Sequence, residues 1–208
     1  MFVDRKDAGQ QLAEALSGFE KENPLVLAIP RGGVIVAAEV ARQLNADFSL
    51  LVSRKLPYPF SPEAGFGAVA EDGSLFLIPG ADQRLNQDEI WEIIDAQREV
   101  IEQRIAVLRK NKPLPEITGR NVILIDDGIA MGSTMSASIN LCINKKANRI
   151  IVAVPVAGPR IVPEIERMVD DLIVLETPQR FRAVAQVYKH WHDVTDEEAL
   201  AVLNEFNI

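Results

Sequence analysis

Cysteine is nearly absent from this 208-residue chain: Cys142 is the single one. No intramolecular disulfide can form, so the fold must rest on its core, and a reducing, cytoplasmic setting is expected. Cys142 lies in the apolar run 139–143, where a small buried hydrophobe is expected rather than a nucleophile. Histidine is scarce too. His190 and His192 have no further Cys or His nearby, which falls short of a zinc site. Long apolar runs are missing. None reaches the roughly 18 residues that a membrane helix needs, and the charged start MFVDRKDAGQ has no secretory core. Basic charge is in deficit: 22 Lys and Arg face 30 Asp and Glu, a net charge of -8. That argues against a general nucleic-acid binder, which needs a basic stripe, but not against a small anionic ligand in a local electropositive pocket. The sequence shows neither a helix-turn-helix nor a GxxxxGK[ST] loop, and no internal repeat.

What remains is an ordinary globular composition, 48% hydrophobic and 25% charged, in a pattern that alternates short aliphatic runs with helical periodicity. Residues 7–19 read as an amphipathic helix through Leu12, Ala15, Leu16 and Phe19. Runs 25–29, 48–52, 121–125, 149–154 and 172–175 read as buried strands, and 34–44, 132–145 and 159–169 as the helices between them. Asn86 with Glu89, and Thr195 with Glu198, are spaced as capping boxes. They open a long helix to about Lys110 and a short one to about Phe206. The long helix has one apolar face, Ile90, Ile94, Ile101, Ile105 and Leu108. It is expected to pack over the sheet or to meet a second copy of the chain, which leaves a homodimer open. Strand–helix alternation predicts an α/β fold, a mostly parallel central sheet with helices on both faces, and right-handed crossovers. Residues 53–82 differ: Pro57, Pro59, Pro62, Gly65, Gly67, Gly73, Pro79 and Gly80 argue for a long irregular, functional or mobile segment with at most a small hairpin of 68–70 and 75–78.

The informative segment is Val122 to Met135, VILIDDGIAMGSTM. An aliphatic strand leads into two carboxylates, then a small-residue turn, then a helix start. Ligands of open α/β sheets bind at the carboxyl ends of strands. Gly128, Ala130, Gly132 and Ser133 leave backbone N–H groups bare to surround a phosphate at the positive end of the next helix. Ser133 and Thr134 add hydroxyl donors, and Asp126 and Asp127 stand where the hydroxyls of an attached sugar would meet them. A carboxylate pair beside an anion nest suits a ribose 5-phosphate group. Two segments look like companions. Ala28-Ile29-Pro30-Arg31-Gly32-Gly33 ends the first strand with a bidentate cation and two permissive glycines. Ser53-Arg54-Lys55 ends the second with two cations.

The 14 residues from 122 to 135 resemble the phosphoribosyl pyrophosphate (PRPP) signature of type I phosphoribosyltransferases. The resemblance extends over about 24–176. With its Pro-Arg-Gly-Gly loop, Arg54-Lys55-Leu56-Pro57 stretch, Asp-Asp-Gly loop and tail 177–193, the chain is similar to a poorly characterised bacterial branch of that family. It implies one domain over 1–208, with a small hood drawn from the N-terminus, 81–112 and 177–208, and a flexible loop over 56–79. By resemblance Asp126 and Asp127 hold the ribose hydroxyls, Ile129 to Thr134 (Ile129, Ala130, Met131, Gly132, Ser133, Thr134) wrap the 5′-phosphate, and Gly128 is counted among the PRPP-binding residues. Arg31, Gly32, Gly33, Arg54 and Lys55 then meet the pyrophosphate. Arg31, Lys55 and Asp127 are the candidate catalytic residues. Mg2+ is implied as a cofactor carried by PRPP, with no direct protein ligand and Asp126 or Asp127 touching it through water. Met131 replaces the family's usual small or threonine residue, at the loss of one hydroxyl.

The implied reaction transfers the phosphoribosyl group to a small nitrogenous acceptor and releases pyrophosphate. The alternative is a non-catalytic PRPP sensor or regulatory protein. A phosphatase or nucleotide-binding domain of another family is a third option. Where 6-oxopurine members carry an aspartate this chain has Ala130, which disfavours hypoxanthine or guanine. No general base stands out. Glu63 and Glu71 are carboxylates in the irregular segment, expected to be solvated. Phe181, Tyr188, His190, Trp191 and His192 cluster in the tail, where packing is the expected role.

Overall fold

The computed structural model describes residues 1–208, the side chain of Asp82 excepted. In chain order the first half contains α1 (Arg5–Ala15), β1 (Leu25–Ala28), α2 (Gly32–Leu44), β2 (Asp47–Leu50), β3 (Ser53–Tyr58), β4 (Ser61–Ala70) and β5 (Leu75–Leu77). The second half contains α3 (Gln87–Leu108), β6 (Asn121–Ile125), α4 (Ser133–Asn144), β7 (Arg149–Val156), α5 (Val162–Glu166), β8 (Asp171–Glu176) and α6 (Asp196–Glu205).

Five parallel strands form the central sheet in the order β2-β1-β6-β7-β8. The aliphatic runs of the inner strands β1, β6 and β7 are buried on both faces, as a sheet covered on both sides requires, while edge strand β8 is only half-buried. In β6, Ile123 and Ile125 face a core shared with α1 and α2, while Val122 and Leu124 face the opposite core, under α4 and α5. The chain moves outward from β1 to β2 with its helix on one face, and from β6 through β7 to β8 with its helices on the other. The winding therefore reverses between β1 and β6. That reversal opens a crevice above their carboxyl ends, where α/β sheets of this kind bind ligands.

The expected strands and capping boxes are present, with different ends. The Asn86 side chain accepts from Glu89 N, and the Glu89 carboxylate accepts from Asn86 N; Thr195 and Glu198 do the same. The first helix is shorter than its apolar spacing suggests. It gives way after Ala15 to a 3-10 stretch, Ser17–Glu22, that ends on Asn23 in a left-handed conformation. The 159–169 helix is corrected to five residues, Val162–Glu166. Ile161 and Ile165 bury their side chains on this single turn, and Asp170 N already bonds Ile150 O at the start of the next strand.

The largest correction concerns 53–82. Its prolines and glycines do not prevent a long element: β4 runs for ten residues in a three-stranded antiparallel sheet, β3-β4-β5. Pro57 is tolerated because β3 is an edge strand, with register shifts on both sides of it. Gly67 is required by packing, since a Cβ there would lie 2.2 Å from Phe76 O on β5. The short hairpin of β4 and β5 is observed, with Ala68 opposite Phe76. Helix α3 packs its Ile90, Ile94, Ile101 and Leu108 face within the chain, against this ribbon and α6 rather than over the parallel sheet. Among the described residues no helix is long and apolar enough to cross a membrane.

Candidate functional site

The loop after β6 and the loop after β1 meet at the crevice. Gly33 has no room for a side chain: a Cβ would lie 2.8 Å from Ile125 O and 2.9 Å from Asp126 Cα. At Gly32 a Cβ would come within 1.8 Å of Asp127 Oδ2. The two glycines let the β1 loop lie directly on the acidic doublet. The peptide bond between Pro30 and Arg31 is cis.

Past the doublet, the loop is stitched to the end of β7. Ile129 N donates to Val156 O and Ile129 O accepts from Gly158 N, at 2.8 and 3.0 Å. The Ile129 amide is thus spent. The amides of 130–134, in contrast, have no acceptor among the described residues. Gly132, at φ 77°, turns the chain into α4 without a side-chain cap. The positive end of a 12-residue helix and several bare N–H groups therefore open together into a cleft of about 270 Å3. Asp126, Gly128, the loop to Met135, Lys55, Glu63 and Gly65 line it. Met131 is 67% exposed, so its side chain leaves the cradle open.

The two carboxylates do different things. Asp126 lines the cleft and accepts from Asp127 N at 2.8 Å. Asp127 lies behind it in an ion pair with Arg5 Nε at 2.7 Å; the two side chains are 15% and 7% exposed. Arg5 is itself fixed by a bond to His192 O at 2.8 Å, and its guanidinium sits 3.8 Å from the Trp191 ring centroid. Tyr188 OH donates to Asp127 O at 2.7 Å. Burial, then the neighbouring Asp127 charge, pushes Asp126 well above the usual carboxylate range. Burial also raises Asp127, with Arg5 opposing. Tyr188 is pushed up by burial and by Asp127, so its hydroxyl stays protonated. The tail aromatics Tyr188 and Trp191 thus serve as packing and support for the doublet.

Across the cleft stands a wall of cations. An adjoining space of about 480 Å3 is lined by Ile29, Pro30, Arg54, Gln97 and Arg104 among others, and it shares Lys55, Glu63, Asp126 and Thr134 with the first. Gly65 makes room for Lys55 to cross the ribbon, since a Cβ there would lie 2.6 Å from Lys55 Cγ. Lys55 Nζ then reaches Glu63 O at 2.7 Å. Arg54 bonds the Gln97 amide oxygen at 3.2 Å. Arg31 stands 3.5 Å from Asp196. Burial, then Arg31, lowers the Arg54 pKa. Burial, Arg54 and Arg31 lower that of Arg104, with Asp196 opposing. Three guanidinium groups therefore feel one another's charge, an arrangement that favours an anion between them.

Of the residues singled out from the sequence, Arg54, Lys55, Asp126 and 128–134 line the joined cleft, and Gly32 and Gly33 pack beneath it. Glu71 does not: its side chain is 8% exposed, paired with Arg109 at 2.5 Å and accepting from Val52 N. Burial pushes Cys142 up to about 12, as suits a core thiol. Sequence reasoning missed Arg5 and Arg104. Nothing local marks Arg5. Arg104 carried a faint signal, seven residues after Gln97 on α3 and so on the same face. Among the described residues no group of three or more His, Cys, Asp or Glu could hold a metal ion.

Comparison with known proteins identifies the family. The model of the "Phosphoribosyl transferase domain" family matches residues 5–188. A Mycobacterium tuberculosis protein named "Putative phosphoribosyl transferase" is 36% identical over 206 residues, 98% of this chain and 46% of that protein. The chain thus spans about half the length of the curated relatives it matches. The crystal structure of a Thermus thermophilus protein superposes with a TM-score of 0.84 at 40% identity, covering 99% of this chain and 98% of that one. An Aquifex aeolicus protein shares the fold at 13% identity with a TM-score of 0.53, covering 86% of this chain and 74% of that one.

Proposed function

This chain belongs to the phosphoribosyl transferase domain family, and from that premise we propose that it binds PRPP and transfers the phosphoribosyl group to a small nitrogenous acceptor, releasing pyrophosphate. One observation carries the reading. The bare amides of 130–134 and the Asp126 carboxylate face a wall of Arg54, Lys55 and Arg104 across one joined cleft. In this reading the amides would suit the monophosphate, Asp126 the sugar, and the cations the pyrophosphate.

In this reading the amide cradle and the α4 N-terminus hold the 5′-phosphate, with Ser133 and Thr134 beside them. Asp126 accepts from a ribose hydroxyl. Asp127, oriented by Arg5 and Tyr188, holds Asp126 through its own N–H. Arg31, Arg54 and Lys55 stabilise the charge that develops on the departing pyrophosphate, while C1′ passes through an oxocarbenium-like state. Arg54 and Lys55 already line the cleft, whereas Arg31 would leave its pairing with Asp196 to join them. The acceptor attacks the opposite face of C1′. It would enter from the side of Ala130, where Gly158, Arg160, Gln179 and Phe181 line an adjoining cleft of about 360 Å3.

Among the described residues the buried acidic doublet forms one ion pair, Asp127 with Arg5. A divalent cation at Asp126 would offset its burial, so the residues fit a Mg2+ ion carried by PRPP. Its chemistry when bound is neutralisation of the pyrophosphate charge. We place the protein in the cytoplasm, in keeping with a single buried thiol.

The test is pyrophosphate release from PRPP and Mg2+ across a panel of nitrogenous acceptors. Release with at least one acceptor is expected. PRPP binding without release on every acceptor would make the protein a sensor. A purine carrying a 6-oxo group is expected to be a poor acceptor, since Ala130 offers it no carboxylate.

A further inference from the structure

Resting on that reading, we infer that Arg104, together with Gln97, on α3 completes a cage for the pyrophosphate end of the ligand, so that this long helix is part of the binding site rather than a packing element alone. Both side chains line the space shared by Arg54, Lys55, Asp126 and Thr134. They stand two helical turns apart on one face of α3, and the neighbouring Ile94 and Ile101 anchor that face in the core. The helix is therefore fixed, and it keeps Arg104 at the wall of this cavity.

Partner accounting supports the assignment. Buried Arg5 and Arg109 each pair with a carboxylate. Among the described residues, half-buried Arg104 has no ion-paired or hydrogen-bonded partner, and Arg54 finds only the neutral Gln97 amide. Unpaired guanidinium groups drawn out of water onto one cavity are costly unless an anion joins them. Gln97 spends its carbonyl oxygen on Arg54, which leaves its amide N–H groups as further donors toward the cavity. An anion with two phosphoryl groups can contact the β3 cations and the α3 cation at once. A single phosphate in the amide cradle cannot. The cage therefore selects for the diphosphate end of the substrate.

The experiment measures binding of three probes to the full chain: PRPP with Mg2+, inorganic pyrophosphate with Mg2+, and ribose 5-phosphate. Arg104→Gln is expected to weaken PRPP and pyrophosphate by about 30-fold or more. Ribose 5-phosphate should stay within about two-fold, which also shows that the variant folds. Arg104→Lys should recover part of the loss, as a point charge without the guanidinium fork. Arg98→Gln removes the same charge from an exposed position paired with Asp95 on the same helix; it should change none of the three. Unaltered pyrophosphate binding in Arg104→Gln, or an equal loss for all three probes, overturns the assignment. If the wild-type chain binds pyrophosphate in an Arg104-dependent way but not PRPP, the cage stands and the transferase reading falls. If it binds neither, both fall.

Discussion

The two walls of the cleft are built on opposite plans. The amide and acid wall comes from one continuous stretch, 126–134, at the end of a central parallel strand. Its acids and its first amide are tied in advance, Asp127 to Arg5, Asp126 to Asp127 N and Ile129 to β7, which leaves the amides of 130–134 bare. The cation wall is assembled from an antiparallel ribbon and α3, which bring Arg54, Lys55 and Arg104 to one space. A single strand-loop-helix can position a phosphate to within a bond length, because the backbone itself does the holding. Side chains from separate elements can gather charge, but their mutual repulsion is relieved only when an anion arrives. The first wall should therefore respond to mutation through geometry and stability, the second through affinity.

The largest expected effect is on the first wall. Gly132→Val places a β-branched residue at φ 77°, with its Cβ 2.5 Å from Ile161 Cδ1, and should reshape the entry to α4. Ribose 5-phosphate affinity is expected to fall at least about 100-fold in calorimetry, while pyrophosphate binding on the other wall changes by only about three-fold. Equal losses for both ligands would mean that the walls are not separable.

Next is the buried ion pair. Arg5→Gln leaves the Asp127 carboxylate unpaired and should cost about 3 kcal/mol in urea unfolding. Arg104→Gln, which breaks no ion pair, should cost less than about 0.5 kcal/mol by the same measurement. Similar losses in the two variants would break the comparison.

A third effect is pH-dependent. Burial and Asp127 raise the Asp126 pKa above the usual carboxylate range, so the folded chain holds this proton more tightly than the unfolded one. The stability so gained is present below the ordinary carboxylate pKa. It is lost as pH rises through the folded value. Asp126→Asn removes the charge that must otherwise be buried, so its melting temperature should exceed that of the wild type by more at pH 8 than at pH 5. An equal difference at the two pH values would contradict the raised pKa. Smallest of all, Met131→Thr restores a hydroxyl beside the cradle. It should raise ribose 5-phosphate affinity by about three-fold, the worth of one exposed hydrogen bond; a loss of affinity would show that the exposed methionine contributes contact.

The same contrast explains what the sequence could reveal. The 126–134 loop is contiguous, so its carboxylates, small residues and helix start could be read together and placed at a strand end. The central sheet was legible for a similar reason: each buried strand is a short aliphatic run, closed by a turn. The ribbon was not. Its prolines and glycines look like breakers in isolation, but Pro57 sits on an edge and Gly65 and Gly67 make room for Lys55 and β5. Glu71 looked like a surface acid until the fold brought Arg109 to it. Arg5 lies 122 residues from its partner, and no local pattern encodes such a pairing.

The central claim is that Asp126 and the amides beyond it receive the ribose 5-phosphate part of PRPP. Calorimetric titration of PRPP with Mg2+ at fixed ionic strength, on the wild type and on Asp126→Asn, tests it most directly. The expected result is saturable binding at one equivalent to the wild type, weakened by about 100-fold or more in the folded variant. No binding to the wild type, or the same affinity in both proteins, would contradict it.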